Sequence, residues 1–588
     1  MKHFITRAVV LLFLSFFLFL LFFHRGIETE DVWLHLSIGQ WIIHHSQVPH
    51  IDEFPFAHEK TPYLCHEWLA SSLIFLIYKA GGFTALKIFR ALFFMLAVGI
   101  FLGFCRRRLP FSLLVFLTLL ISFALFERCL LRPDTFNLLF VQIFLIALFS
   151  YEKDPRPWKL IILPFISVLW INLHMMGAFI YGGSMILIFL FSALIKRNQI
   201  KAMALLLLAF LTTFIINPYG FEGLLFPYKV FLFPKFYGIY KMISITGELQ
   251  YPIYIFFSFN YFYYLLLIFI PILLMSFQKK ADLSMNLLFI FALMFFFYMS
   301  RNSSFFTLVA AYTIARGAQN IYIADKWAKL RWSALADRII LTGVLFFVMI
   351  QSINMINESV YFNGKKGKAV LLDTNPYVLS TLDLLRNNGI QGPVFNCTLL
   401  GGTIIWYDYP ALRPFDDGRH LDYQRFSDDV DVLVDPAKNW HRVEDKYGFK
   451  IVILTEGYEL EKEVIKYLAS QKDWQLIAVH GPFVTFVKRG AFPLPEALDK
   501  YEQRLRSTPL TLNDVRRLRA MLQEKQRTAW ERFFDPGPLK VDLFSDGVSL
   551  MNLGYKGPAA GDFIQALKVS DQPYMHNIVR SFLIQSYK

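Results

Sequence analysis

The chain has 588 residues, 55% of them hydrophobic and 17% aromatic, with 63 Phe and a mean hydropathy of +0.43. Such an excess of apolar side chains excludes an ordinary soluble enzyme and makes a polytopic membrane protein the default. The formal net charge of +14 suits cytoplasmic loops held against anionic lipid, and with no basic-aromatic platform for single strands, nucleic acid is set aside. Cys65, Cys105, Cys129 and Cys397 lie far apart without metal-type spacing. A Cys65–Cys129 disulfide requires both to lie outside the cell, and unpaired apolar cysteines are the simpler reading. Met1–Phe23 has the look of a secretory signal, but no small-residue cleavage site follows and further apolar runs do. It reads as a retained first helix.

Hydropathy and the placement of Lys and Arg predict the topology. Lys2 and Arg7 precede the first span, Ala8–Phe23, which puts the amino terminus in the cytoplasm and residues 24–68 outside as a first loop. Leu69–Ala80 is short, whereas Phe83–Cys105 ends in Arg106-Arg107-Arg108. The second of these therefore crosses inward, and Leu69–Ala80 reads as interfacial or re-entrant. Phe111–Phe126 then goes out, Phe136–Phe149 returns, Leu160–Leu173 goes out, and Ala178–Ile195 returns to Lys196-Arg197. Ala202–Ile216 goes out, and Pro218–Pro252 reads as a segment along the outer membrane surface. Ile253–Phe277 returns to Lys279-Lys280, Leu283–Met299 goes out, Phe305–Gln319 returns, and Ile339–Met355 goes out last. The expectation is about eleven spans, with everything after residue 356 outside.

The first loop opens with Glu28, Glu30 and Asp31 and closes with His66-Glu67-Trp68. Asp31 and His35 are one helical turn apart, so an acid and an imidazole share a face at the membrane surface. That pair suits proton transfer. The competing reading is helix capping, with Thr29 as N-cap and the acids complementing the helix dipole. Arg128, Arg132, Asn172, His174, Asn217 and Arg301 fall at the same predicted outer ends of spans. Outer arginines run against the positive-inside rule, and binding an anionic ligand is a reason for them to be there.

From about residue 357 the composition is that of a soluble domain. Pro376–Asn388 reads as an amphipathic helix, Pro393–Cys397 and Lys450–Thr455 as strands, Glu461–Ser470 as a helix, and Trp474–Val479 with Phe483–Lys488 as a hairpin. The predicted organisation is a transmembrane domain over 1–356, an exoplasmic α/β domain over 357–490 and a helical tail over 491–588. In the tail, Gly547, Ala559, Phe563 and Ala566 match the spacing of a tetratricopeptide (TPR) unit, with a plain helical hairpin as the alternative.

Several motifs resemble, in order, a group of bacterial multi-span proteins classed with the GT-C glycosyltransferases. They are Asp31-x-x-x-His35-Leu36-x-x-Gly39-x-Trp41-Ile42, Pro49-x-x-Asp52-x-Phe54, His66-Glu67-Trp68-Leu69, Arg132-Pro133, Trp170-x-Asn172-x-His174-x-x-Gly177 and Asn217-Pro218-Tyr219-Gly220. The stretch around Gly401-Gly402, Trp406, Tyr409-Pro410 and Asp417-Gly418-Arg419 matches as well. Met175-Met176 and the short repeat region depart from the group's pattern.

The resemblance implies a GT-C-like polytopic helical protein of the bacterial cytoplasmic membrane with its C-terminal domain in the periplasm or outside the cell. It also implies an enzyme that moves a hexosyl or pentosyl group from a polyprenyl-phosphate donor to an exoplasmic glycan, lipid or protein acceptor. Asp31 is the expected base, with Glu30 as competitor and His35 as partner. Glu28, His66, Glu67, Arg128, Arg132, Asn172, His174, Asn217 and Arg301 are the expected substrate contacts. A divalent cation, Mg or Mn, on Glu28 and Asp31 stays open, as does a role for the C-terminal region in binding envelope proteins. The rival reading is a non-catalytic membrane scaffold. A transporter fits less well, because its charges belong at mid-membrane on broken helices.

Overall fold

The computed structural model describes residues 2–24, 31–54, 56, 61–106, 109–232, 262–277, 282–322, 376–419, 422–523, 541–568 and 573–586, with a few isolated positions besides. Glu28, Glu30, most of Pro218–Pro252 and most of the expected last span Ile339–Met355 lie outside the described residues. The chain divides into two units. One comprises residues 1–25, 38–50 and 64–352, and the other 26–37, 51–63 and 353–588.

The first unit is helical. Its helices are α1 (Lys2–His24), the second part of α2 (Asp31–His45), α3 (Trp68–Cys105), α4 (Phe111–Phe126), α5 (Asn137–Lys153), α6 (Trp158–Gly177), α7 (Gly183–Lys196), α8 (Ile200–Thr213), α9 (Phe221–Leu232), α10 (Phe262–Ser276), α11 (Leu283–Tyr298) and α12 (Ser303–Tyr322). Among the described residues, three helical stretches, Trp68–Cys105, Pro133–Lys153 and Trp158–Lys196, are long and apolar enough to cross a membrane. With α1, α4, α8, α10 and α11 as shorter apolar helices, this is the architecture of a membrane protein.

Two of the long stretches are broken where polarity or glycine intervenes. Gly81 and Gly82 leave helical geometry inside α3, Gly82 at φ +62°, a conformation that favours glycine. His174 is extended inside α6, and its ring Nδ1 accepts the Gly177 N–H at 3.0 Å. The imidazole thus restarts the helix as a side-chain cap would. Helix α2 packs on α3 through Gly39, where an added methyl would collide with the Ser71 carbonyl and Phe75. All four cysteines are buried and outside any disulfide.

The second unit is built on a five-stranded sheet of β1 (Gly392–Asn396), β2 (Leu412–Pro414), β3 (Ile451–Thr455), β4 (Trp474–His480) and β5 (Phe483–Lys488), in the order β2-β1-β3-β5-β4. β2, β1 and β3 run parallel, while β5 is antiparallel to both β3 and β4. The two-residue period sends Val452 and Leu454 to one core with Phe395, Trp440 and Trp474, and Ile451 and Ile453 to another with Leu382, Leu385 and Ile404. Both faces are therefore covered, as a parallel sheet requires.

Around the sheet lie α13 (Pro376–Asn387), α14 (Gly401–Asp408), α15 (Tyr423–Val434), α16 (Pro436–Tyr447) and α17 (Glu459–Ser470). The sequence reading did not include α14, α15, α16 or β2. α15 and α16 carry clear signals all the same: Asp422 accepts from Gln424 N and Arg425 N, Asp435 accepts from Lys438 N ahead of Pro436, and Gly448 ends α16 in a left-handed turn.

The tail contributes α18 (Leu512–Gln523), α19 (Val541–Asn552), α20 (Lys556–Leu567) and α21 (Pro573–Ser586). α19 and α20 form a helical hairpin in which Gly547 packs on Phe563. Leu550, Phe563 and Phe582 belong to the same apolar core as Trp474 and Leu476 of the sheet, so this unit's sheet and tail are stabilised together.

Candidate functional site

The polar residues of the helical unit converge at the ends of α3, α4, α6 and α11. Glu67 is the residue before α3, and its Oε1 lies 3.2 Å from His174 Nε2 and 3.7 Å from His66 Nε2. His174 Nδ1 lies 3.0 Å from Gly177 N and 3.2 Å from Asn137 Oδ1, and in the tautomer that accepts from Gly177 the Nε2 proton faces the carboxylate. A methyl at Gly177 would strike both Asn137 Oδ1 and His174 Nδ1, so glycine is required for this close approach. Asn137 in turn accepts from Trp170 Nε1 at 2.7 Å. Burial lowers His66 to about 4, partly opposed by a hydrogen bond to Leu64, and the Arg301 charge pushes the same way as burial. His66 is thus neutral at pH 7, and its contact with Glu67 is not an ion pair.

Asp134, in the short 3-10 turn Pro133–Phe136 that leads into α5, forms an ion pair with Arg128 at 2.6 Å. Arg301, Arg132 and His174 also act electrostatically on Asp134. Three guanidiniums therefore gather with the Asp134 and Glu67 carboxylates. Placed in an apolar helical unit, these charges are expensive unless paired with one another or with a ligand.

Beside this cluster is a groove of about 580 Å³ lined by Trp68, Leu69, Phe165, Val168, Leu169, Asn172, Ile216, Asn217 and Pro218. Its walls are mostly apolar. Asn172 accepts from Trp68 Nε1 and donates to the Val168 and Ile216 carbonyls. Asn217 accepts from Tyr219 N and donates to the Phe214 and Gly220 carbonyls. Both amides hold backbone in place and also line the groove. Tyr219 OH accepts from Cys65 N at 2.8 Å and donates to the Pro49 carbonyl at 2.7 Å. The Asn-Pro-Tyr-Gly turn thereby ties together the flanks of residues 51–63.

In the second unit, Asp31 is the first residue of α2 and His35 follows one turn later, buried. Asp52 accepts from the Phe54 N–H and pairs with Arg419 Nη2 at 2.8 Å. Arg419 also engages Asp417 through Nε and Nη2. Burial would lower the Arg419 pKa, but Asp417 and Asp52 hold it well above the ordinary range.

The structure thus brings together His66, Glu67, Arg128, Arg132, His174 and Arg301 as one cluster, with Asn172 and Asn217 on the adjoining groove. The sequence reading did not place Asp134, Asn137, Trp68 and Tyr219 in the site. Of these, Asp134 carried a readable signal as an acid between two arginines and a span. Among the described residues no group of three or more His, Cys, Asp or Glu is placed to hold a metal ion, and Glu28 lies outside them.

No family model matches the chain, and no curated protein matches it. Among solved structures, the apo oligosaccharyltransferase of Archaeoglobus fulgidus aligns over 94% of this chain and 86% of its own, with a TM-score of 0.52 and 12% identity. The chain has a fold similar to that of this oligosaccharyltransferase. The same archaeal enzyme, tethered by a disulfide to an acceptor peptide containing the NVT sequon, aligns over 76% of this chain and 69% of its own, with a TM-score of 0.49 and 13% identity. At 12% identity the likeness to the apo enzyme concerns the fold alone.

Proposed function

We propose that the chain is a membrane glycosyltransferase that moves a sugar from a polyprenyl-phosphate donor to an acceptor outside the cytoplasm. The observation that carries this reading is the gathering of Arg128, Arg132 and Arg301 with His174 around Asp134 and Glu67, beside a mostly apolar groove. An arginine-rich, weakly hydrated site next to apolar walls suits a phosphate carried on a lipid. The fold likeness to an oligosaccharyltransferase is compatible with it.

In the proposed reaction the acceptor hydroxyl attacks the anomeric carbon and gives its proton to a carboxylate. The bond from that carbon to the phosphate oxygen breaks, and the lipid phosphate leaves with the electron pair, stabilised by the guanidiniums. Asp31, at the head of α2 one turn from His35, is the proposed base. Glu67 is a second reading, favoured by its 3.2 Å contact with the oriented His174 imidazole. A non-catalytic scaffold has no use for a buried charge cluster of this cost.

The test is transfer by the purified protein from a polyprenyl-phosphate-linked sugar to a small hydroxylated acceptor. Failure to bind a series of such donors of different sugars would remove the proposal.

A further inference from the structure

Two stretches of the sequence with no obvious chemistry meet each other within the second unit. One is Pro49-x-x-Asp52-x-Phe54 and the other Asp417-Gly418-Arg419. Ile51 and Pro62 form a bridge and the Asp52 N–H donates to the Thr61 carbonyl, which brings the two ends of residues 51–63 together. Phe54 lies against Tyr409, and Phe56 inserts between Phe415 and Tyr447 in the sheet's core. Gly418, at φ +80°, turns the chain so that Arg419 folds back on Asp417. The guanidinium then reaches Asp52, with the Tyr63 and Phe54 rings 5.1 and 5.8 Å from it. Both Asp52 and Arg419 side chains are more than nine-tenths buried. In the same unit, Trp33, two residues after Asp31, has its ring 5.4 Å from that of Tyr407.

A buried guanidinium between two carboxylates holds them only while it is present. Without it, Asp52 and Asp417 are like charges in a poorly solvated place, and they push the hairpin off the domain. Apolar contacts tie the hairpin down, the Nη2 contact to Asp52 adds a directional charged tie, and the fork of Nε and Nη2 on Asp417 fixes the guanidinium that makes it.

We propose that Arg419 is a positioning residue for the first loop: through Asp52 it clamps residues 51–63 to the C-terminal domain, and with the Trp33–Tyr407 contact it sets the head of α2, where Asp31 stands. The C-terminal domain is then part of the machinery that places the base, and does more than receive acceptors. The positioning role rests on the transferase reading; the clamp itself does not.

Spin labels at Glu53→Cys and Asp383→Cys read the clamp directly in the full-length protein in detergent, since the native cysteines are buried. Glu53 is on the hairpin and Asp383 on the exposed side of α13. The expected distance distribution is narrow in the parent, broad in Arg419→Ala, and intermediate in Arg419→Lys, which keeps the charge and loses the fork. In transfer assays, Arg419→Ala should lower kcat by about 100-fold, the cost of a reacting group misplaced by about 1 Å, with the donor KM unchanged. Arg419→Lys should recover part of that loss. A narrow distribution in Arg419→Ala overturns the clamp. A broad distribution with unchanged kcat overturns the positioning role, and so does a rise in donor KM at constant kcat. A parent protein that transfers no sugar defeats the transferase reading and with it the positioning role, while the spin-label result still decides the clamp.

Discussion

Glu67 Oε1 lies 3.2 Å from His174 Nε2, and the other nitrogen of the same imidazole accepts the Gly177 N–H. One side chain thus restarts a broken helix and presents a proton to a carboxylate. The helix break, the glycine and the Glu67–His174 contact are parts of a single arrangement, which makes its parts separable by substitution.

Asp31→Asn should cut turnover by about two to four orders of magnitude while donor binding survives, if Asp31 is the base. Glu67→Gln should then cost much less. The reverse order, with near-normal Asp31→Asn and inactive Glu67→Gln, would transfer the role to Glu67. Turnover and melting temperature of the two purified variants decide between them.

Arg132→Ala and Arg301→Ala should each weaken donor binding by about 10- to 100-fold, the worth of a hydrogen bond to a charged group. Binding of a polyprenyl phosphate, measured by titration without acceptor, checks this. Unchanged affinity in both would leave the arginines as structural partners of Asp134.

Gly177→Ala should disturb the cluster without touching its charges, because the new methyl meets Asn137 Oδ1 and His174 Nδ1. Overpacking of this kind costs about 1–3 kcal/mol. The expected result is a lower melting temperature together with reduced turnover. Full activity in this variant would show that the His174 orientation is not needed.

Stability should fall as pH rises from about 6.5 to 8, above the range in which His66 and His480, both lowered by burial, add stability with rising pH. Burial pushes Glu461 up to about 7 against the Thr455 N–H that favours its charged form. Burial and the Asp546 charge push Asp562 up to about 7, and burial with Asp416 and Glu461 raises Asp429 well above its ordinary value. Raised carboxyl groups bind protons more tightly in the folded state, so their contribution is complete below the unfolded pKa and is lost as pH climbs through the folded one. Asp428 works in the other direction. Burial opposes its ionisation, but Lys446 and Arg442 hold it down at about 2, so its contribution disappears only in strong acid. A drop in melting temperature between about pH 6.5 and 8 is expected, and Glu461→Gln should flatten part of it. A melting temperature that is level over this range would contradict the assignment.

Lys438→Cys should react with an impermeant thiol reagent on intact spheroplasts, if the proposed topology with the C-terminal domain outside is right. The native cysteines are buried and give little background. Labelling only after lysis would reverse the orientation.

Local pattern alone determined the helical membrane character, the helix Phe111–Phe126 to the residue, and four of the five strands of the C-terminal sheet, the hairpin among them. Hydropathy and two-residue alternation are properties of neighbouring residues, and the solvent or lipid that selects them acts on each segment separately. The candidate arginines and His174 were legible for a related reason, since charged groups at the ends of apolar runs stand out wherever the chain goes.

Tertiary structure decided the rest. It showed that β5 lies between β3 and β4, that the tail completes the sheet's core, and that Asn172 and Asn217 spend their amides on backbone. It also paired Glu67 with His174 and Asp52 with Arg419. A buried charge is stable only beside its counter-charge, and the chain supplies that partner from whatever distance the fold allows. No periodicity within either stretch records who the partner will be.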